Sequence, residues 1–187
     1  MMTHRNIGAA AVTLFAALSG ACSGDSTGTA VVDASGLYQL TGQLNPAACE
    51  PASAIDVLEP VLITGDPLAA QAVIRIEQQG EQLSWKAIES DGQTIEPGAP
   101  LVEGTIDAEG HFRIEFTEQA TPFVLGERTF FEQPSSLIEG QFDMAASPIT
   151  FTASAVSTEV FREGSATAPV FATCTSTGTA TAVRTGD

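Results

Sequence analysis

The sequence contains little positive charge and few of the residues that do chemistry. Seven lysine and arginine residues stand against 23 acidic ones, giving a formal net charge of −16. Such a surface repels nucleic acid and anionic lipid headgroups, so neither is an expected partner. The chain has only two histidines and three cysteines, too few for the usual zinc ligand sets once the N-terminal segment is set aside. We therefore expect no metal and no other cofactor.

No hydrophobic run is long enough to cross a bilayer as a helix. The longest, residues 7–18, has about a dozen uncharged residues behind Arg5, whereas a spanning helix needs about 20. A short apolar run behind a positive residue is typical of a signal peptide. Small residues then lead to Cys22. The sequence predicts export, with residues 1–21 removed.

The stretch Leu18-Ser19-Gly20-Ala21-Cys22 resembles the lipobox of bacterial lipoproteins. It departs from the usual box, because Leu18 stands four residues before the cysteine instead of three. The resemblance implies that Cys22 is acylated, becomes the first residue of the mature chain and anchors it in a membrane of the cell envelope. Ser23 is compatible with sorting to the outer membrane, on either its periplasmic or its surface face. The alternative is an ordinary signal peptidase site, which would leave a secreted soluble protein.

The remaining cysteines form an even pair, Cys49 and Cys174. Outside the cytoplasm such a pair is oxidised, so we predict a disulfide. It would close a loop of about 125 residues and bring the first and last strands of the domain together. Two unpaired thiols are the alternative.

Two segments follow the signal peptide. Residues 22–34 are small and polar without apolar periodicity, which predicts a flexible, lipidated tether. Residues 35–187 alternate between apolar and polar positions, as half-buried strands do. Their number suits one domain, so we expect a single β-domain on a short tether.

The strand pattern is clearest in residues 101–116, where two alternating runs are joined by a turn that ends at Gly110. Phe112, Ile114 and Phe116 share one face of the second run. A helical turn is expected at residues 68–71. Further strands are expected in residues 36–44, 55–63, 73–78, 83–88, 123–131, 137–143, 149–161 and 171–183, with the alternating threonines of the last one facing solvent.

These patterns predict an all-β fold, an antiparallel meander of about eight to ten strands. A disulfide between the first and last strands is what a closed or nearly closed barrel requires, and a β-sandwich with neighbouring termini is the alternative. The length and strand count resemble those of lipocalin-like barrels. Gly36-Leu37-Tyr38 is similar to the Gly-x-Trp opening of lipocalins, with tyrosine in the place of tryptophan.

Two functions are compatible with such a domain. The first is a non-catalytic structural or partner-binding role for a lipid-anchored protein of the cell envelope, with an unidentified protein partner. The second is the binding of a small apolar ligand inside the barrel. A filled interior would favour the first function and a cavity the second. The aromatic residues expected to fill the core or to line such a cavity are Tyr38, Trp85, Phe112, Phe116, Phe142 and Phe151.

A hydrolase of the cell envelope is less well supported by the residues. A Ser-His-Asp triad would have to use His111, whose position in the alternation places it on an exposed strand face. Glu103, Glu115 and Glu139 could converge from neighbouring strands. Such carboxylates need a cleft and a raised pKa to act in hydrolysis. The sequence therefore predicts a protein that is not an enzyme.

Overall fold

The computed structural model describes residues 33–89, 94–95 and 101–186. The predicted signal peptide and Cys22 lie outside these residues. Among the residues described, no helix is both long and apolar enough to cross a membrane. The strands are β1 (Gly36–Leu44), β2 (Ala48–Glu50), β3 (Leu68–Gln79), β4 (Gln82–Ile88), β5 (Val102–Ile106), β6 (His111–Thr117), β7 (Thr121–Leu125), β8 (Arg128–Asp143), β9 (Thr150–Glu163) and β10 (Val170–Gly186).

Eight of these strands form a closed antiparallel barrel. They follow one another in chain order, β1-β3-β4-β5-β6-β8-β9-β10, while β2 and β7 are attached outside the ring. The ring closes because β10 pairs with β1, from Leu37 opposite Gly186 to Leu44 opposite Gly178. The predicted all-β, lipocalin-like barrel is confirmed, and the β-sandwich alternative is wrong.

The apolar positions of the alternating strands point into the barrel and form its core. In β6, Phe112 and Ile114 are buried, and Phe116 packs against the same core. Arg113 and Glu115, which alternate with them, are exposed. The predicted period of two is therefore confirmed in this hairpin, and each fully buried apolar side chain stabilises the fold by about 1.5–3 kcal/mol.

Three strands of the barrel continue beyond the ring as an extension of the same sheet. The first part of β8, the last part of β9 and the first part of β10 lie side by side there, with β7 and β2 at the edges. A helical segment covers this extension: a 3-10 turn (Ala52–Ala54), α1 (Ile55–Leu58) and a second 3-10 turn (Glu59–Val61). Leu58 is fully buried in a second core together with Phe161.

The predicted disulfide belongs to this second core. Cys49 of β2 lies directly opposite Cys174 of β10 and is bonded to it, with the two Cα atoms 4.0 Å apart. The bond therefore ties the last strand to β2. The sequence led us to expect that it would join the last strand to the first. The first and last strands meet instead through the backbone pairing of β1 with β10.

The prediction of a strand at residues 55–63 is wrong, because α1 and the 3-10 turns occupy that segment. Ile55, Leu58 and Leu62 are spaced three and four residues apart, and all three contribute to the second core. That spacing is helical. Pro60, which has no backbone N–H, suits the start of a turn better than the middle of a strand.

The helical turn expected at residues 68–71 is also wrong. These residues begin β3 and pair with residues 41–44 of β1. Asp66 and Pro67 are typical of a helix start, but the pairing with β1 satisfies the backbone of this stretch as a strand. Tertiary hydrogen bonding overrides local preference here.

The phrase Leu-x-Glu-Gly, at residues 101–104 and again at 137–140, has a structural meaning. Both glycines lie within strands, directly opposite residues that face into the barrel. A side chain on Gly104 would meet Ile114, and one on Gly140 would meet the ring of Phe112. Glycine is used at both positions because a large neighbour occupies the space of its side chain.

Candidate ligand-binding cavity

Four of the six predicted aromatic residues fill one end of the barrel. Tyr38, Phe112, Phe142 and Phe151 are 0–3% exposed, and their neighbouring ring centroids are 5.1–5.9 Å apart. The Tyr38 hydroxyl donates to the carbonyl oxygen of Ala34 at 2.9 Å, and burial raises the pKa of Tyr38 to about 12. This end is a packed core, and it includes Ala34, the last residue of the predicted tether.

The other two aromatic residues lie at the border of this core. Trp85 and Phe116 are partly buried and pack against it. The Trp85 ring is 6.0 Å from that of Phe112 and 6.4 Å from that of Phe151. Of the six aromatic residues, Trp85 and Phe151 line the cavity described next.

A half-open cavity of about 160 Å³ lies beyond Trp85 and Phe151, on the inward face of the barrel strands. An apolar cavity of about 150 Å³ stays dry and binds benzene or xenon, so this one suits a group of about six to eight carbon atoms. Its walls are almost wholly apolar. Much of the lining comes from small residues, namely Gly42, Ala70, Ala153, Ala155, Gly178 and Ala180.

Strand register explains why the barrel is hollow at this level. Residues directly opposite one another across an antiparallel pair point to the same face. Three neighbouring strands, β1, β10 and β9, place Gly42, Ala180 and Ala153 at one height, so these strands contribute no large side chain to the interior there. In the next row Gly178 and Ala155 are also small, whereas β1 supplies Leu44.

A row of three serines lies one step along the strands beyond the cavity walls, on the side away from the aromatic core, and none of the three lines the cavity itself. Ser136, Ser157 and Ser176 lie opposite one another on β8, β9 and β10. Each is two residues beyond a residue that lines the cavity, so the serines share the inward face with the cavity walls. The Ser136 hydroxyl donates to the Ser157 hydroxyl at 3.3 Å. The apolar cavity therefore ends at a hydrogen-bonding row.

Two glutamates follow the serine row on the same face. Glu159 is two residues beyond Ser157, and Glu132 lies on β8, opposite Phe161 of β9. Burial, and then the charge of Glu132, raise the pKa of Glu159 to about 7. Burial, and then the charge of Glu118, raise the pKa of Glu132. This pair is not evident from the sequence, because only the β8–β9 register brings two glutamates 27 residues apart close together.

The acidic residues singled out from the sequence lie elsewhere, on the outer wall. Arg113 is ion-paired with Glu139 and, at 3.1 Å, with Glu115. His111 is exposed and 3.1 Å from Asp107. Within the described part of the chain, no three His, Cys, Asp or Glu side chains come together as a metal site would require. Arg113 thus holds Glu115 and Glu139, and an open depression in the outer wall is lined by Asp107, His111, Arg113 and Glu139.

Comparisons with known proteins give one structural likeness. No family model matches the sequence, and no curated protein matches it. A solved structure described as the monomer form of the M. tuberculosis PknI sensor domain is 14% identical. The alignment covers 85% of this chain and 92% of that one, with a TM-score of 0.42. No function is carried over from it.

Proposed function

We propose that this protein is an exported, lipid-anchored β-barrel domain that binds a small apolar ligand and does not catalyse a reaction. The observation that supports ligand binding is the cavity between Trp85, Ala155 and Gly178. The barrel is filled at its aromatic end and hollow at the next level. A purely structural domain would not need small residues on three adjacent strands at one height.

The size of the cavity sets the expected affinity. Burial of six carbon atoms contributes about 5 kcal/mol at about 0.8 kcal/mol each. Immobilisation of the ligand offsets part of this. A probe of the size of benzene should therefore bind with a Kd of roughly 1–10 mM, and a ligand with further contacts should bind more tightly.

Binding can be measured with the protein's own fluorophore. The chain has one tryptophan, and Trp85 lines the cavity. We expect benzene to change the Trp85 emission of the mature chain carrying Cys22→Ser, with saturation in the millimolar range. Ala155→Leu should abolish the response because leucine fills the cavity. Thr152→Leu, on the exposed face of the same strand, is the matched control and should keep it.

A response that survives Ala155→Leu, or no saturable response in the parent chain, contradicts ligand binding at this cavity. Circular dichroism melting curves show whether each variant is folded. If the parent chain gives no saturable response, the structural or partner-binding role predicted from the sequence is better supported.

The proposed location has two supports. The lipobox-like stretch ending at Cys22 implies acylation, and the bonded Cys49–Cys174 pair suits an oxidising compartment. Metabolic labelling with an alkyne fatty acid tests the anchor. Label should appear on the parent chain and on a Cys49→Ser/Cys174→Ser variant, and should disappear with Cys22→Ser. Label that persists without Cys22 contradicts the anchor.

Hydrolysis is a second candidate, favoured by one observation. Glu132 and Glu159 lie partly buried on adjacent strands, on the far side of the serine row from the cavity, and both have a raised pKa. A protonated and an ionised carboxyl group side by side can act as acid and base. Turnover of chromogenic glycosides or esters at pH 5–7, lost in Glu159→Gln, would support this candidate. Its absence in the parent chain would exclude it for those substrates.

A further inference from the structure

The surroundings of the cavity restrict the kind of ligand it can hold; this inference rests on the proposed function. The inward residues of β9, in order from the aromatic core, are Phe151, Ala153, Ala155, Ser157 and Glu159. The surface changes from aromatic to small apolar, then to hydroxyl, then to carboxyl. A ligand whose apolar part contacts Ala155 would therefore have its other end at the serine row.

The serine row offers hydrogen bonds to that other end. The hydroxyls of Ser136 and Ser157 are 3.3 Å apart, and Ser176 completes the row on β10. A hydroxyl group is both a donor and an acceptor, so the row can serve an alcohol, an amine or an amide. A hydrocarbon without a polar end would leave these groups without a bonding partner from the ligand.

Negative charge lies directly behind the serines. Glu159 is two residues beyond Ser157, so their Cα atoms are about 7 Å apart. Glu132 on β8 and Glu118 beyond β6 contribute charge of the same sign: Glu132 acts on Glu159, and Glu118 acts on Glu132. A ligand that brought a carboxylate to the serine row would meet these like charges at close range in a partly desolvated place.

We infer that the ligand is an amphiphile with an apolar part of about six to eight carbon atoms and an uncharged or cationic hydrogen-bonding head. The apolar part lies in the cavity and the head lies at Ser136, Ser157 and Ser176. Carboxylate-headed molecules such as fatty acids are disfavoured.

Three probes with the same chain length test the choice of head. We would titrate 1-hexanol, hexylamine and hexanoate into the mature chain carrying Cys22→Ser at pH 8 and follow Trp85 emission. Hexanol and hexylamine should bind, and hexanoate should bind about tenfold more weakly or worse. Ser157→Ala should weaken hexanol binding roughly three- to tenfold and leave benzene binding unchanged.

The double variant Glu132→Gln/Glu159→Gln removes the negative charge and keeps the serine hydroxyls, so it measures the effect of the charge on binding separately. In this variant hexanoate should approach hexanol in affinity, while the affinity for hexanol should stay unchanged. Glu115→Gln/Glu139→Gln, on the outer wall, is the matched control and should change nothing. Benzene binding without hexanol binding, or equal binding of hexanoate and hexanol by the parent chain, overturns the inference and leaves the proposed function standing. If benzene itself does not bind to the parent chain, the proposed function is wrong.

Discussion

Glu159 of β9 lies directly opposite Cys174 of β10, and Cys174 is bonded to Cys49 of β2. A titratable carboxyl group and a disulfide thus share the border between the barrel and its extension. On one side of this border are the serine row and the cavity, and on the other is the second core under α1. The border should respond both to pH and to reduction.

Removal of the disulfide should destabilise the domain substantially. The bond closes a loop with a sequence separation of 125 residues, for which the chain-entropy model gives a contribution of about 3–5 kcal/mol. Cys49→Ser/Cys174→Ser should lower the free energy of unfolding in urea by that amount. The reduced parent chain, as the control, should unfold at the same urea concentration as the variant. A parent chain whose mass rises by less than two hydrogens on reduction would contradict the bond.

Glu159 should make stability fall as pH rises. Its pKa of about 7 in the folded chain lies above the ordinary value of 4.5, so the folded state binds the proton more tightly than the unfolded state. The stabilisation is complete below pH 4.5 and is lost as pH rises through 7. Because the carboxyl group is partly exposed, we reduce the full linkage value to about 1–2 kcal/mol.

The variant Glu159→Gln should therefore be more stable than the parent chain at pH 8 and similar to it at pH 4.5. Urea unfolding at a series of pH values measures both. Glu103→Gln, on the exposed face of β5, removes one charge at another place and corrects for the general acidity of the chain. Parallel pH profiles for the parent and Glu159→Gln would contradict the assignment of a raised pKa to Glu159.

Gly140→Ala should be costly although it adds a single methyl group. The added carbon would meet the carbonyl oxygen of Thr152 and the ring of Phe112. The backbone of β9 and the packed aromatic cluster have little room to move, so we expect a loss of about 1–3 kcal/mol in unfolding free energy. Gly186→Ala, where the nearest atom is 3.8 Å away, is the control and should stay near the parent value. Equal melting temperatures for the two variants would contradict this prediction, because they would show that the neighbouring strands can move to make room for the added methyl group.

Much of the fold was predictable because alternation is a local property. The run from Phe112 to Phe116 shows its inward and outward faces without any knowledge of its neighbours. The segment around Leu58 was misread because a short apolar run does not distinguish a strand from a helical turn. Residues 68–71 were misread because their structure depends on pairing with β1, which lies more than 20 residues away.

The candidate site was predictable only in part. Trp85 and Phe151 were identified as residues that could line a cavity, and both do so. The hollow itself depends on Gly42, Ala153 and Ala180 standing at one height, which follows from register and not from composition. The pair of Glu132 and Glu159 could not be predicted either, because strand register brings them together and neither residue is unusual within its own strand.

Xenon binding would show directly whether the barrel contains a cavity able to hold a small apolar group. Crystals of the mature chain with Cys22→Ser would be pressurised with xenon and their diffraction compared with that of untreated crystals. Apolar cavities of about this size take up xenon. We expect a xenon site between Trp85, Ala155 and Gly178 in the parent chain, and none there in Ala155→Leu. An interior without xenon in the parent chain, or with side chains filling the space between these residues, would rule out ligand binding at this cavity.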